Sequence, residues 1–292
     1  MKNYLIILAG SPRGGKKTWN SLFKYVINPL QADLAILTTD NFLSNNILFQ
    51  KAKYKWIVKN PKDFKDYYKE NYSGRWKEYF LQGKNTGLLE SGLIHFTFKD
   101  IVLKQYLDIV ESYDFIIYSR FDQYYIDYHP ELNKNINQIV IPEGEDYFGI
   151  CDRHAAFNAE LAREFFSICE FIDSEDTDKY TNKILNSETA YMNQLQNCKL
   201  EPYVVRSSRL QFTSAISTDK TNWRIPKYKI LFSNGLFIKY PDEFLDSIKN
   251  LIHKYSFFVS FFKHPTFITY YCYLQIRKSV GIVLKNTLKK LK

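Results

Sequence analysis

The stretch Asp114-Phe-Ile-Ile-Tyr-Ser-Arg-Phe-Asp122 decides the fold. Phe115, Ile116, Ile117 and Tyr118 form an unbroken apolar and aromatic run, which reads as a strand covered on both faces, as in the parallel sheets of α/β proteins. Arg120 and Asp122 stand at its C-terminal end, where open α/β sheets place their ligands. Toward the N-terminus, residues 98–111 carry Ile101, Leu103, Tyr106, Leu107 and Val110 at helical spacing. Before them come a strand at 4–9, a helix at 18–26 and a second strand at 33–37 closing in Thr38-Thr39-Asp40. That opening is the pattern of a nucleotide-binding α/β half-domain. Toward the C-terminus the sequence predicts a strand at 138–141, a helix at 158–172, a helix at 187–196 capped by Ser187, and a strand at 202–206. Residues 41–97 read as helices and loops beside the sheet. Residues 207–226, rich in Ser, Thr, Asn and Asp, read as a loop over one end of it. The expected architecture is a single Rossmann-like α/β domain over 1–250 with a mostly parallel central sheet, followed by a helical, basic and aromatic appendage over 251–292.

Composition limits the function. The chain has 292 residues, 17% of them aromatic, and can bury a large core. Its four cysteines have no CxxC spacing and read as reduced thiols, favouring a reducing compartment. The opening apolar run is too short for a signal peptide. Of the net charge of +9, residues 251–292 carry +8 and no acid, so the body is nearly neutral. A basic stripe for nucleic acid is therefore not expected.

Three clusters carry chemistry. Gly10-Ser-Pro-Arg-Gly-Gly15-Lys16-Lys17-Thr18 matches the G-x-x-x-x-G-K part of a phosphate-binding loop, but Lys17 stands where that loop needs Ser or Thr. A P-loop ATPase is thereby disfavoured; the turn's amides with Arg13 or Lys16 can still hold a diphosphate. The string also resembles the phosphosulfate loop of sulfotransferases. At the strand end, Asp122 can ligate Mn²⁺ or Mg²⁺, while Arg120 can bond phosphate or hold Asp122 in place. In Pro142-Glu-Gly-Glu-Asp-Tyr-Phe-Gly-Ile-Cys-Asp-Arg-His154, Asp152, Arg153 and His154 supply a carboxylate, a cation and an imidazole. Glu188, in the first turn of the next helix, is a second candidate base.

Together, Tyr118 to Asp122 and Ile141 to His154 resemble a group of bacterial and large-virus glycosyltransferases of the GT-A type, which assemble surface polysaccharides and glycans. The likeness spans roughly residues 4–200, and those two strings are its specific part. It implies a nucleoside diphosphate sugar as donor, a glycan or lipid-linked saccharide as acceptor, and Gly10 and Asp40 near the nucleotide. It also implies Asp122 near diphosphate and metal, and Asp152, Arg153 and His154 near the sugars. Two positions depart from the pattern. Arg120 replaces the first acid of the usual Asp-x-Asp, and Phe148 stands where the pattern more often has Gly.

The tail is aromatic at 257–262 and 267–276 and basic beyond, with too few consecutive apolar residues to span a bilayer. It reads as an interfacial segment that holds the protein on the cytoplasmic side of an anionic membrane. The expected function is transfer of a sugar from a nucleoside diphosphate sugar, with retention or inversion open. The alternatives are a sulfotransferase using a phosphosulfate donor and a non-catalytic protein that binds glycan or membrane surfaces.

Overall fold

In the computed structural model, residues 2–81, 92–180, 186–217, 219 and 235–290 are described. Strand β1, Tyr4–Ala9, is buried along its whole length because its side chains alternate into two cores. Leu5, Ile7 and Ala9 join Ile116 and Tyr118 on one face, while Tyr4, Ile6 and Leu8 join Phe115 and Ile117 on the other. Around it form β2 (Asp33–Thr39), β3 (Tyr54–Val58), β4 (Phe115–Ser119), β5 (Gln123–Tyr125), β6 (Ile139–Pro142), β7 (His154–Asn158), β8 (Val204–Ser207), β9 (Gln211–Ile216) and β10 (Leu236–Ile238). Seven of these make one sheet in the order β3-β2-β1-β4-β7-β6-β8. All its strands run the same way except β7, which is antiparallel to both neighbours. The result is a mixed α/β, Rossmann-like sheet with helices on both faces.

The strand order reverses between β1 and β4, whose pairing ends at Leu8 opposite Ser119. This is the topological switch point, and crevices for ligands open there at the strands' carboxyl ends. At that point the chain leaves the large sheet and enters β5 of a second, antiparallel sheet, β10-β9-β5. Residues 120–122 are the corner between the sheets.

Several expectations are corrected. Residues 41–97 contribute an edge strand, β3, and the helix expected at 158–172 starts later, after β7 has run through Asn158. The cap of the Ser187–Asn197 helix is Asn186, whose side chain accepts from the Thr189 N–H at 2.7 Å. The supposed loop 207–226 contains buried β9; its portion beyond 219 lies outside the described residues. Polar composition misleads there because tertiary partners satisfy the buried polar side chains of β9. Thr213 accepts from the Gln123 amide at 2.9 Å, and Ser214 pairs with Thr18 at 2.7 Å.

The expected junction at residue 250 lies inside the Pro241–Tyr255 helix. Phe244, Ile248 and Leu251 from that helix share a third core with Phe212, Leu236 and Ile238 of the small sheet and with Phe267, Ile268, Tyr270 and Leu274. Part of the supposed appendage is thus the hydrophobic floor of the small sheet. No described helix is long and apolar enough to cross a membrane.

Candidate active site

A cavity of about 630 Å³ opens at the switch point. Its walls come from the turn after β1 (Gly10, Ser11, Arg13), the β4–β5 corner (Arg120, Asp122), the approach to β7 (Asp152, Arg153), the first turn of the Ser187–Asn197 helix (Glu188) and the segment after β10 (Lys239, Tyr240). Most of the residues singled out in the sequence meet here although they lie far apart along the chain.

The turn after β1 is tightly seated. Gly14 has φ +91°, and a Cβ on it would lie 3.1 Å from the Asp122 Cα and as close to Thr18, so this position needs glycine. The Gly14 N–H donates to the Asp219 carboxylate at 3.1 Å, which also accepts from the Ile216 N–H. One amide of the expected anion-binding turn is therefore satisfied from within the chain. Lys16 points to solvent from the helix Gly15–Leu22 and does not line the cavity.

At the corner, Arg120 grips Asp122 with two parallel bonds, Nε to Oδ1 at 2.9 Å and Nη2 to Oδ2 at 2.6 Å. Asp122 is 2% exposed. Burial alone would raise its pKa, but Arg120, Lys239 and Arg13 together outweigh burial and hold the carboxyl below its ordinary range. Arg13 and Lys239 add positive charge around it. Burial, reinforced by Arg120, brings the Lys239 amine down to about 7.

The other two carboxylates of the cavity, Glu188 and Asp152, are held apart in character. Burial first, then the negative charge of Asp152, pushes Glu188 up to about 7. Asp152 is held below its usual range despite burial, because His95, Arg153 and Lys99 surround it. Glu188 accepts from Ser187 Oγ at 3.0 Å and from Arg153 Nη2 at 3.4 Å. Arg153 is anchored by Glu243, 3.0 Å away, and its guanidinium lies 4.5 Å from the centre of the Tyr240 ring. Glu243 is fully buried and also accepts from Arg209 and from the Thr213 N–H. Gly149 locks this wall: the Ile150 N–H donates to the Glu188 carbonyl, and a Cβ at 149 would sit 2.2 Å from that carbonyl.

Two further expected residues are elsewhere. His154 begins β7, where side chains alternate, so it turns away from the cavity that Arg153 faces. It is buried against Ser119 (3.2 Å), Tyr125 (3.3 Å) and His129 (3.1 Å), and burial lowers its pKa well below the ordinary value. Asp40 follows β2, off the switch point, and its carboxylate accepts from the Asn60 N–H at 3.0 Å. Neither lines the cavity.

Sequence reading missed His95, Lys99, Lys239 and Tyr240. His95, from the Leu93–Ile101 helix, lies 3.0 Å from the Asp152 carbonyl oxygen and is brought down to about 4 by burial. Lys99, one turn on, is buried with its amine 3.7 Å from the centre of the Tyr191 ring, and burial lowers it to about 7. The i, i+4 spacing of His95 and Lys99 in a mostly apolar helix was the available signal.

The donor set fits a divalent cation poorly. Both Asp122 oxygens are engaged by Arg120, and among the described residues no group of three or more His, Cys, Asp or Glu side chains is arranged to hold a metal ion. Mg²⁺ and Ca²⁺ sites are built from oxygen ligands, with carboxylates free to coordinate.

The family profile described as a domain of unknown function (DUF7796) matches residues 99–231. That span contains Arg120, Asp122, Asp152, Arg153 and Glu188, but not Arg13 or Lys239. Among curated proteins none matches the chain.

Proposed function

We propose that the chain is a glycosyltransferase of GT-A type that moves a sugar from a nucleoside diphosphate sugar to a glycan or lipid-linked acceptor hydroxyl. One observation carries this reading: a switch-point cavity lined both by arginines and by a buried carboxylate poised near neutrality. Glu188 is the base of this proposal. Its pKa near 7 suits proton abstraction at neutral pH, whereas Asp152 is held too acidic for the task. The acceptor oxygen loses its proton to Glu188 as it bonds to the anomeric carbon. The bond from that carbon to the phosphate oxygen breaks, and the departing diphosphate takes the electron pair beside Arg13 and Arg120. Asp152, held by His95, would orient the sugar.

The exposed aromatic surface supports peripheral membrane contact on the cytoplasmic side as part of the same proposal. In the Phe257–Lys263 helix, Phe258 is 75% and Phe262 81% exposed, one turn apart on one face.

A thermal-shift screen of UDP-, GDP- and CMP-sugars and the phosphosulfate donor tests the reading. A ligand at 100 times its Kd stabilises the fold by about 2.7 kcal/mol. Stabilisation by one nucleotide sugar, followed by transfer of its sugar, is the expected result. A response to the phosphosulfate alone would replace the reading with a sulfotransferase, and no response would favour a binding protein.

A further inference from the structure

We infer that the donor's diphosphate is neutralised by Arg13, Arg120 and Lys239 in place of a divalent metal, and that Asp122 positions Arg120 and is no metal ligand. The inference rests on the proposed nucleotide-sugar reading and concerns the same cavity.

Three observations converge. First, the two-bond grip of Arg120 uses the carboxylate edges that a metal would need, in the fork geometry that is the strongest arginine–carboxylate contact. Capture of a metal by Asp122 would require breaking that pair inside a buried corner. Second, positive charge exceeds negative at this wall. Arg13, Arg120 and Lys239 line the cavity with Asp122, and the nearby Asp219 carboxylate, held by the Gly14 and Ile216 amides, still leaves three basic groups against two acids. A further divalent cation would add to the repulsion these groups exert on one another, whereas a diphosphate would relieve it. Third, the placement matches the leaving group. The cations line the cavity from the carboxyl ends of β1 and β4 and from the segment after β10, and Glu188 lines the same cavity from the Ser187–Asn197 helix, so the sugar would sit among them. Arg120 stands where the resembling pattern has its first acid, so a fixed side-chain cation replaces half of a metal-binding pair.

Lys239 is held next to the small sheet by its own backbone, whose N–H donates to the Thr213 carbonyl at 2.9 Å. Burial and Arg120 together favour its neutral form, and a bound diphosphate would draw it back to the ammonium form. Binding of the nucleotide should then be accompanied by proton uptake between about pH 7 and 9, detectable as a buffer-dependent heat.

The test is calorimetric titration of the full chain with UDP, GDP and inorganic pyrophosphate, in EDTA and then in Mn²⁺ or Mg²⁺. The expected result is that one nucleoside diphosphate binds equally well, within about twofold, with and without metal. Lys239→Met and Arg13→Met should each weaken it by about tenfold or more, in proportion to the charged bonds lost. Pyrophosphate competing with the nucleotide would place the contact on the phosphates and not on the base. Binding that appears only with metal and is lost in Asp122→Asn would overturn the inference while leaving the nucleotide-sugar reading intact. If neither nucleotide nor pyrophosphate binds under any condition, the reading itself falls and the inference with it.

Discussion

Glu188 shows how surroundings change the chemistry of one side chain. As a first-turn acid it was explicable by the helix dipole alone. In the fold it is buried beside Asp152 and Arg153, and burial with the Asp152 charge raises its pKa to about 7. If it is the base, activity at limiting acceptor should rise with pH through about 7 as the carboxylate forms. Glu188→Gln should lower kcat by about 10² to 10⁴-fold and remove that limb of the profile. A variant that keeps both would return the role to Asp152. The same group has a stability signature of defined sign. Its folded pKa lies above the unfolded value of 4.5, so its contribution is present below about 4.5 and lost as pH rises through 7.

At the scale of elements, the segment 144–149 between β6 and β7 sets the carboxylate wall. Gly149 packs onto the backbone of Glu188, so Gly149→Ala must push the loop off the helix. We predict a loss of about 1–3 kcal/mol in urea unfolding, together with a fall in kcat larger than any change in donor affinity. A neighbouring residue predicts the opposite sign. Phe148 is 79% exposed and has φ +70°, the left-handed region that disfavours residues with a Cβ. This explains why the resembling pattern more often has Gly there. Phe148→Gly should stabilise the fold by up to about 1 kcal/mol, read as a higher Tm. A drop in Tm would mean that the ring packs in solution. Glu243 performs a different service, holding Arg153 and Arg209 at once from a fully buried position. Its removal would leave two buried guanidinium groups without their shared counter-charge; breaking such a pair typically costs about 3–5 kcal/mol.

For the whole molecule, the distribution of apolar surface bears on where the protein works. Phe267, Ile268, Tyr270 and Leu274 are committed to the core under the small sheet, while Phe257, Phe258, Phe261 and Phe262 remain at the surface. Two of the tail's cations are also committed, since Lys254 and Lys263 pair with Asp127 at 2.7 and 3.6 Å. The proposed membrane contact therefore rests more on aromatic insertion than on the tail's charge. Phe258→Ser with Phe262→Ser should reduce sedimentation with phosphatidylserine-containing vesicles by about tenfold or more, each buried ring contributing about 1.5–3 kcal/mol. Fold stability should be unaffected. Unchanged sedimentation would count against contact through this helix.

The sequence by itself determined the α/β class, the strands at 4–9, 33–37 and 115–118, and the charged residues Arg13, Arg120, Asp122, Asp152, Arg153 and Glu188 of the cavity. Each of these signals is local: apolar runs buried on two faces, a glycine turn, and charges stranded at the ends of apolar strands. Tertiary structure alone decided which groups converge and which face they use. Asp152 and Arg153, just before β7, line the cavity, while His154, the first residue of the strand, is buried away from it. Burial raised the Glu188 carboxyl to about 7, and a two-bond contact committed Asp122 to Arg120. The polar strand β9 and the cavity residues Lys239 and Tyr240 were illegible for the same reason. Their roles come from partners distant in the chain, such as Gln123 for Thr213 and Thr18 for Ser214, with energies that no local pattern records.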